Sequence, residues 1–247
     1  MPFTPSHAAI VLPFIRSGYF SATALIIGSM APDFEYFFTM NDQGIHGHTL
    51  AGFFYFDIPV TILAAFVFHY FVKINLIDNL PYFLQRKFDD LKQLEFLSYF
   101  RKHWFLFSCS ALLGTVSHIF WDSFTHPDTW AVKTFSIYET IIPFQGARYP
   151  FYYFLQTVSS YVGLFILLVF LLIKKSDAHT VLIKPSLWYW IGLCSITGLS
   201  LFFRFYWSSD PFNLVLGLIS SISGLSIALI IMGWIPFEKT TVTSTPH

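Results

Sequence analysis

The stretch that decides the fold reads FYYFLQTVSSYVGLFILLVFLLI and extends from Phe151 to Ile173 without a charged residue. A helix needs about 20 predominantly apolar residues to cross a bilayer, so this run predicts a transmembrane helix. Four further runs of similar length are also predominantly apolar, at residues 49–72, 104–126, 186–203 and 212–235. We therefore predict an all-α integral membrane protein with about five transmembrane helices.

The composition of the whole chain agrees with a membrane protein. Of its 247 residues, 55% are hydrophobic and 11% are charged, whereas soluble domains average about 25% charged residues. The net charge of +0, with basic residues scattered between apolar runs, argues against a nucleic-acid partner. Cys109 and Cys194 have no CxxC spacing, which argues against disulfides and a thiolate zinc site. The expected partner is the lipid bilayer, and the oligomeric state stays open.

The N-terminal third admits two structures. Apolar residues 8–15 and 20–30 are separated by Arg16-Ser17-Gly18, so this part forms either a helical hairpin or a sixth span. Each half covers about half of the hydrocarbon thickness, which favours the hairpin. Thr4 is a plausible N-cap for the first short helix, with Pro5 at its first position. In the hairpin His7 returns to the level of Asp33, whereas in a span the bilayer separates them.

The chain is expected to form one membrane domain whose orientation follows from the basic residues. Its parts are residues 1–48, the first two spans at 49–126 with an amphipathic loop at 73–103, and the last three spans at 151–235. Ten of the 14 basic residues lie in loop 73–103, segment 174–185 and the tail, and these regions are predicted to be cytoplasmic. Loop 127–150 and the residues before Thr49 then face the other side.

A cluster of polar residues interrupts the second apolar run. In Ser117-His118-Ile-Phe-Trp-Asp122-Ser-Phe-Thr-His126-Pro127, three side chains are spaced by four and lie on one helix face. Imidazole and carboxylate groups so placed suit a divalent metal, and Pro127 is expected to end the helix after the trio. The alternative is a helix end with polar caps, since histidine favours the C-terminal dipole.

The predicted orientation places His48 on the same side of the membrane as this trio. With the hairpin, His7 and Asp33 join them in one site whose composition suits Zn, Mn or Fe rather than Mg or Ca. His126 and Glu35 are candidates to move a proton at this site, and Glu35 could instead orient an imidazole. The supply of side chains is sufficient for one or two metals.

Four ordered motifs carry a resemblance to a known family. They are Met1-Pro-Phe-Thr-Pro-Ser-His7, Gly28-Ser-Met-Ala-Pro-Asp33, His48-Thr-Leu-Ala-Gly and the His118 to His126 segment. Nearly the whole chain resembles a bacterial membrane family known only as a domain of unknown function, DUF4184. That family is distantly similar to inner-membrane metal-dependent hydrolases. The resemblance implies a multi-pass protein of the bacterial inner membrane, with a metal held by His7, Asp33, His48, His118 and Asp122.

Two functional hypotheses follow, and a scaffold with a non-catalytic metal stays as a third. The first is a metal-dependent hydrolase, most simply with zinc, that cleaves an ester or phosphoester of a lipid or lipid-linked substrate at the periplasmic face. The alternative is a transporter that passes a metal ion or proton along the same side chains. A transport route needs polar residues as far as the cytoplasmic side, whereas the second run offers only Ser and Thr beyond His118. The hydrolase is therefore favoured, although the sequence leaves open whether the protein is an enzyme.

Overall fold

The computed structural model describes residues 3–208 and 213–242, and helices form most of this part of the chain. Within it, five helices are long and apolar enough to cross a membrane, and we number them as spans one to five. They are Phe53–Asn79, Phe96–Asp122, Phe151–Ile173, Leu187–Trp207 and Leu214–Trp234. This confirms the all-α membrane fold with about five spans. Met1 and Pro2 of the first motif, and Phe212, where the fifth run was expected to begin, lie outside the described residues.

The first and second spans extend beyond their apolar runs, in both cases at the end that is predicted to be cytoplasmic. The first span continues to Asn79, and the second begins at Phe96, so the latter contains Arg101 and Lys102. Charged side chains stop an apolar run, but they do not interrupt the backbone hydrogen bonds of a helix. Lys73 in the first span donates from Nζ to the Leu94 carbonyl. The second span has a non-helical residue at His103, with φ −126° and ψ 25°.

Residues 8–28 form the helical hairpin and not a sixth span. Ala8–Val11 and Leu12–Phe14 make its first arm, and Ala22–Gly28 makes its second. Gly18 lies in the turn with φ +73°, a left-handed conformation that glycine adopts without a Cβ penalty. Ser21 caps the second arm by accepting a hydrogen bond from the backbone N–H of Ala24. The two ends of the hairpin can therefore meet at one level.

The remaining described elements are short. Thr4–His7, Ala31–Asp33 and Ser136–Glu139 are 3₁₀ turns, and Phe34–Thr39, Tyr82–Lys92 and Trp130–Thr134 are helices. Four short strands form two antiparallel pairs among the described residues. Ile141–Phe144 pairs with Ala147–Pro150, and Leu182–Ile183 pairs with Thr241–Val242. Phe53–Asp57 and Phe68–Val72 are π-helical turns inside the first span.

The chain divides into two compact units. The first comprises Met1–Phe34, Ile45–Ile62 and His103–Ile173, and the second comprises Glu35–Gly44, Leu63–Lys102 and Lys174–His247. The first unit contains every predicted site residue except Glu35.

Glycines allow the elements of the first unit to approach closely. A Cβ on Gly28 would lie 2.5 Å from the Ala111 carbonyl oxygen, and a Cβ on Gly114 would lie 2.6 Å from that of Leu25. The second arm of the hairpin thus packs backbone to backbone against the second span. On the third span, a Cβ on Gly163 would lie 2.7 Å from the Cβ of Ser6. These contacts fix the level of the residues that follow Gly28 and Ser6.

Candidate metal centre

The five residues of the predicted metal set lie together in the first unit. The Asp122 carboxylate is central, with Oδ2 at 3.2 Å from His118 Nε2 and 3.6 Å from His48 Nε2. Its other oxygen, Oδ1, lies 3.4 Å from His7 Nε2. Asp33 Oδ1 lies 3.5 Å from His118 Nε2 and 3.6 Å from His48 Nε2. We call these five residues the Asp-His cluster.

The second span supplies His118 and Asp122 from consecutive turns, as their spacing predicts. The helix ends at Asp122, however, so His126 lies one turn beyond it and not within its last turns. Between the end of the helix and residue 129, the Ser123 hydroxyl donates to the Phe120 carbonyl and the Thr129 hydroxyl donates to the Ser123 carbonyl. The backbone N–H of His126 still donates to the Asp122 carbonyl, as it would in a helix, so His126 stays next to Asp122.

The N-terminal turn supplies His7 and also fixes Asp33. Thr4 begins this turn and is not its N-cap, and its hydroxyl donates to Asp33 Oδ2 at 2.5 Å. Ser6 donates to the Ser160 carbonyl of the third span, which holds the turn in place. The sequence gives no signal for the Thr4 contact, because Thr4 and Asp33 are 29 residues apart.

His48 reaches the cluster from the loop before the first span. A Cβ on Gly47 would overlap the Pro32 carbonyl, so glycine is required for this approach. The loop therefore lies directly against Pro32-Asp33. The side chain of His48 is 34% exposed, whereas those of His7, Asp33 and His118 are fully buried, so the cluster opens toward His48.

The orientation of His118 is set by the hairpin. Its Nδ1 lies 2.8 Å from the Ser29 carbonyl and donates to it, because a carbonyl can only accept. The other ring nitrogen, Nε2, faces carboxylate oxygens of Asp33 and Asp122. A backbone acceptor behind a histidine is the arrangement by which metal-binding histidines are oriented. The sequence could not reveal this contact, which joins residues 89 positions apart.

Burial keeps the flanking histidines neutral. It is the main cause that lowers the pKa of His7 to about 3, with His118 as the next cause. Burial also lowers the pKa of His126. For Asp33, burial acts to raise the pKa, but His118 outweighs it, so the pKa lies below the usual value. Neutral imidazole and ionised carboxylate are the forms that bind a metal.

The two predicted proton-moving residues lie in different surroundings. His126 is 25% exposed, and its Nδ1 lies 3.5 Å from Asp122 Oδ1. Its Nε2 lies 3.4 Å from the side-chain amide of Gln156 on the third span. Glu35 is buried in the first turn of Phe34–Thr39 and belongs to the second unit. Within the first unit, the structure thus brings His126 close to Asp122.

Fold and site together define a class of protein, a multi-pass all-α membrane protein with a buried Asp-His cluster at the end of its second span. Residues 1–234 match the model of the family described as "Domain of unknown function (DUF4184)", and the chain belongs to that family. No curated protein and no solved structure matches the chain.

Proposed function

We propose that this protein is a metal-dependent hydrolase of the bacterial inner membrane. In this proposal His7, Asp33, His48, His118 and Asp122 hold the metal at the periplasmic face. The substrate is an ester or phosphoester of a lipid or lipid-linked molecule. The hydrolase class follows from the distant resemblance to inner-membrane metal-dependent hydrolases that we infer from the sequence motifs.

The observation that carries this proposal is the position of His118 Nε2, which faces carboxylate oxygens of both Asp33 and Asp122. Among the described residues this nitrogen has no hydrogen-bond partner, and neither does Asp33 Oδ1. Two ionised carboxylates in a buried site are costly unless their charge is compensated. A proton on His118 would cancel one of the two negative charges, whereas a divalent cation cancels both.

The distances within the Asp-His cluster also fit a cation. Zinc binds nitrogen and oxygen at about 2.0–2.1 Å, so neighbouring ligands of a tetrahedral site lie about 3.3 Å apart. The nitrogen-to-oxygen distances of Asp33, His48, His118 and Asp122 are 3.2 to 3.6 Å. Mixed imidazole and carboxylate ligands favour zinc, with manganese or iron as alternatives. A cation bound there would lower the pKa of a water molecule and would polarise the ester.

The Asp-His cluster is accessible from one side, next to His48 and His126, and a reaction could take place there. His48 and His126 are its exposed members, so a substrate approaches from there. In a site with one metal, His126 is placed to move the proton, because Nδ1 lies at Asp122 and the ring is partly exposed.

An apolar groove in the first unit supports a lipid substrate. It has a volume of about 350 Å³ and is lined by side chains of the second and third spans, of Ile10, and of Phe124 and Thr125, which follow the second span. Trp121 lies in its wall and makes an edge contact with the ring of His7. A hydrocarbon chain in this groove would bring its polar end to the cluster.

The first experiment measures metal in the purified full-length protein. We expect about one or more transition-metal ions per chain, and a loss of at least about tenfold when His118→Ala and Asp122→Ala are combined, because two ligands are removed. Asp122→Asn serves as a milder variant if the double variant does not fold. The control combines His179→Ala with Asp177→Ala, two exposed residues of segment 174–185.

The outcomes separate the hypotheses. Wild-type protein without a transition metal, or a double variant with unchanged metal content, contradicts the proposal. Metal-dependent release of an acyl or phosphoryl product from lipid supports the hydrolase. Uptake of metal into proteoliposomes without such product would instead support the transporter.

A further inference from the structure

We propose that the substrate is an acyl ester of a membrane lipid, with one acyl chain in the apolar groove and the ester carbonyl at the Asp-His cluster. This inference rests on the proposed function, and it selects the carboxylic ester over the phosphoester.

The groove extends from the surface end of two spans toward the hydrocarbon. Of the residues that line it, Thr125 follows the second span and Leu155 lies in the second turn of the third, so both are near loop 127–150. Val162 lines the groove about 10 Å further along the third span. A lipid with its head group at the membrane surface would therefore place its chain in the groove with the tail toward Val162.

The groove is continuous with the surface that the spans present to lipid. Phe120 and Val162 line it, and they are 56% and 46% exposed. Exposed side chains of apolar transmembrane helices face the hydrocarbon of the bilayer. Membrane lipid is therefore the medium at the groove, and an acyl chain can enter from the side.

The wall of the groove suits hydrocarbon and not phosphate. Its two hydroxyls already donate to backbone carbonyls, Thr125 to Asp122 at 3.4 Å and Ser159 to Gln156 at 3.1 Å. The other side chains that line it in the described part of the chain are aliphatic or aromatic, and none is Lys or Arg. Burial of an alkyl chain there is favourable, whereas a phosphate would find no cationic side chain.

The surface end of the groove adjoins the cluster. Thr125 Oγ1 lies 3.2 Å from His126 Nδ1, and Trp121 in the same wall makes an edge contact with His7. In an acyl lipid the ester carbonyl directly follows the chain, whereas the phosphate is several bonds farther away. A chain that fills the groove as far as Thr125 thus brings its ester carbonyl beside His126 and Asp122.

The charge of the cluster also favours a carboxylic ester. Ionised Asp33 and Asp122 carry two negative charges, which one divalent cation balances. A phosphodiester would add a further negative charge to this buried site, and an uncompensated charge there is costly. A carboxylic ester is neutral and keeps the balance.

Hydrolysis of such an ester consumes one water molecule. The oxygen of the water bonds to the carbonyl carbon, and the bond from this carbon to the alkoxyl oxygen breaks. A proton from the water passes to the alkoxyl oxygen. The products are a fatty acid and an alcohol, which is a lysolipid when the substrate has two chains.

The test uses the full-length protein loaded with Zn²⁺, in water enriched in heavy oxygen. Its probe is vesicles of phosphatidylethanolamine and phosphatidylglycerol with hexadecanoyl chains. We expect mass spectrometry to detect hexadecanoic acid that carries heavy oxygen, together with lysolipid. Heavy oxygen in a released phosphate group instead, or a Zn²⁺-bound protein that releases no fatty acid, overturns this inference and leaves metal binding intact. A protein that binds no Zn²⁺ overturns the proposed function as well.

Val158→Trp tests the groove, because the larger ring would fill the space beside it. We expect the ratio of kcat/KM for the hexadecanoyl lipid to that for the same lipid with hexanoyl chains to fall at least about tenfold. Ser159→Leu, in the same wall, is the second variant for the case that Val158→Trp does not fold. Leu168→Trp, at an exposed position of the third span outside the groove, is the control and should keep the wild-type ratio. An unchanged ratio in both groove variants also overturns the inference.

Discussion

At the scale of single residues, the cluster depends on partners that hold its ligands from behind. The Thr4 hydroxyl donates to Oδ2 of Asp33, and the Ser29 carbonyl accepts from Nδ1 of His118. Oδ1 of Asp33 and Nε2 of His118 are then left facing the cluster. Such partners fix a ligand before a metal arrives and so reduce the ordering cost of binding.

Thr4→Val is therefore expected to weaken metal binding by about 10–100-fold, because the variant removes the hydroxyl that orients Asp33. The measurement is chelator competition on the purified protein. Thr4→Ser keeps the hydroxyl and should restore most of the affinity. Wild-type affinity in Thr4→Val would show that Asp33 is oriented without this hydrogen bond.

At the scale of elements, the contact between the hairpin and the second span sets the geometry of the site. Gly28 and Gly114 bring the two backbones together, and Thr115 donates to the Gly28 carbonyl. Ser29 follows at once and reaches His118. The packing of the hairpin against the second span therefore determines where the Ser29 carbonyl lies, and this carbonyl orients His118.

Gly114→Ala tests this packing. The added Cβ would lie 2.6 Å from the Leu25 carbonyl oxygen and 2.7 Å from the Ser29 nitrogen. We expect a destabilisation of about 1–3 kcal/mol, measured as a lower thermal unfolding midpoint, together with weaker metal binding. Gly198→Ala in the fourth span is the matched control, since its Cβ would meet no described atom within 4 Å. Equal stability of the two variants would contradict the role of Gly114.

Local patterns were sufficient for the spans and for the polar residues of the site. Apolar runs predict the five helices, and the interval of four in His118 and Asp122 places both on one face. The contacts of Thr4 and Ser29 could not be predicted in this way, because they join segments far apart in the sequence. The end of the second span at Asp122, one turn before His126, was also missed.

At the scale of the whole molecule, the hairpin leaves five candidate spans, an odd number, among the residues that the structure describes. We therefore expect the residues just before the first span and those just after the fifth to lie on opposite sides of the membrane. The basic residues predict that segment 174–185 lies in the cytoplasm and loop 127–150 on the outside. The cluster follows the same assignment, since Asp122 ends the second span just before that loop.

This topology can be tested with single cysteines in a chain in which Cys109 and Cys194 are replaced by serine. In spheroplasts, a membrane-impermeant maleimide should label Glu139→Cys and should not label Asp177→Cys until the cells are broken. Both positions are exposed, so access to the reagent depends on the side of the membrane. The reverse pattern would place the cluster at the cytoplasmic face.

The wide separation of the cluster along the chain has a consequence for biosynthesis. Thr4 and Asp33 can meet as soon as the hairpin has formed, but His118 and Asp122 are made much later. The cluster cannot close until the ribosome has delivered the second span and the membrane has accepted it in the correct direction. A second span inserted with its Asp122 end on the side opposite to His7 and Asp33 would keep the cluster open and leave its aspartates uncompensated.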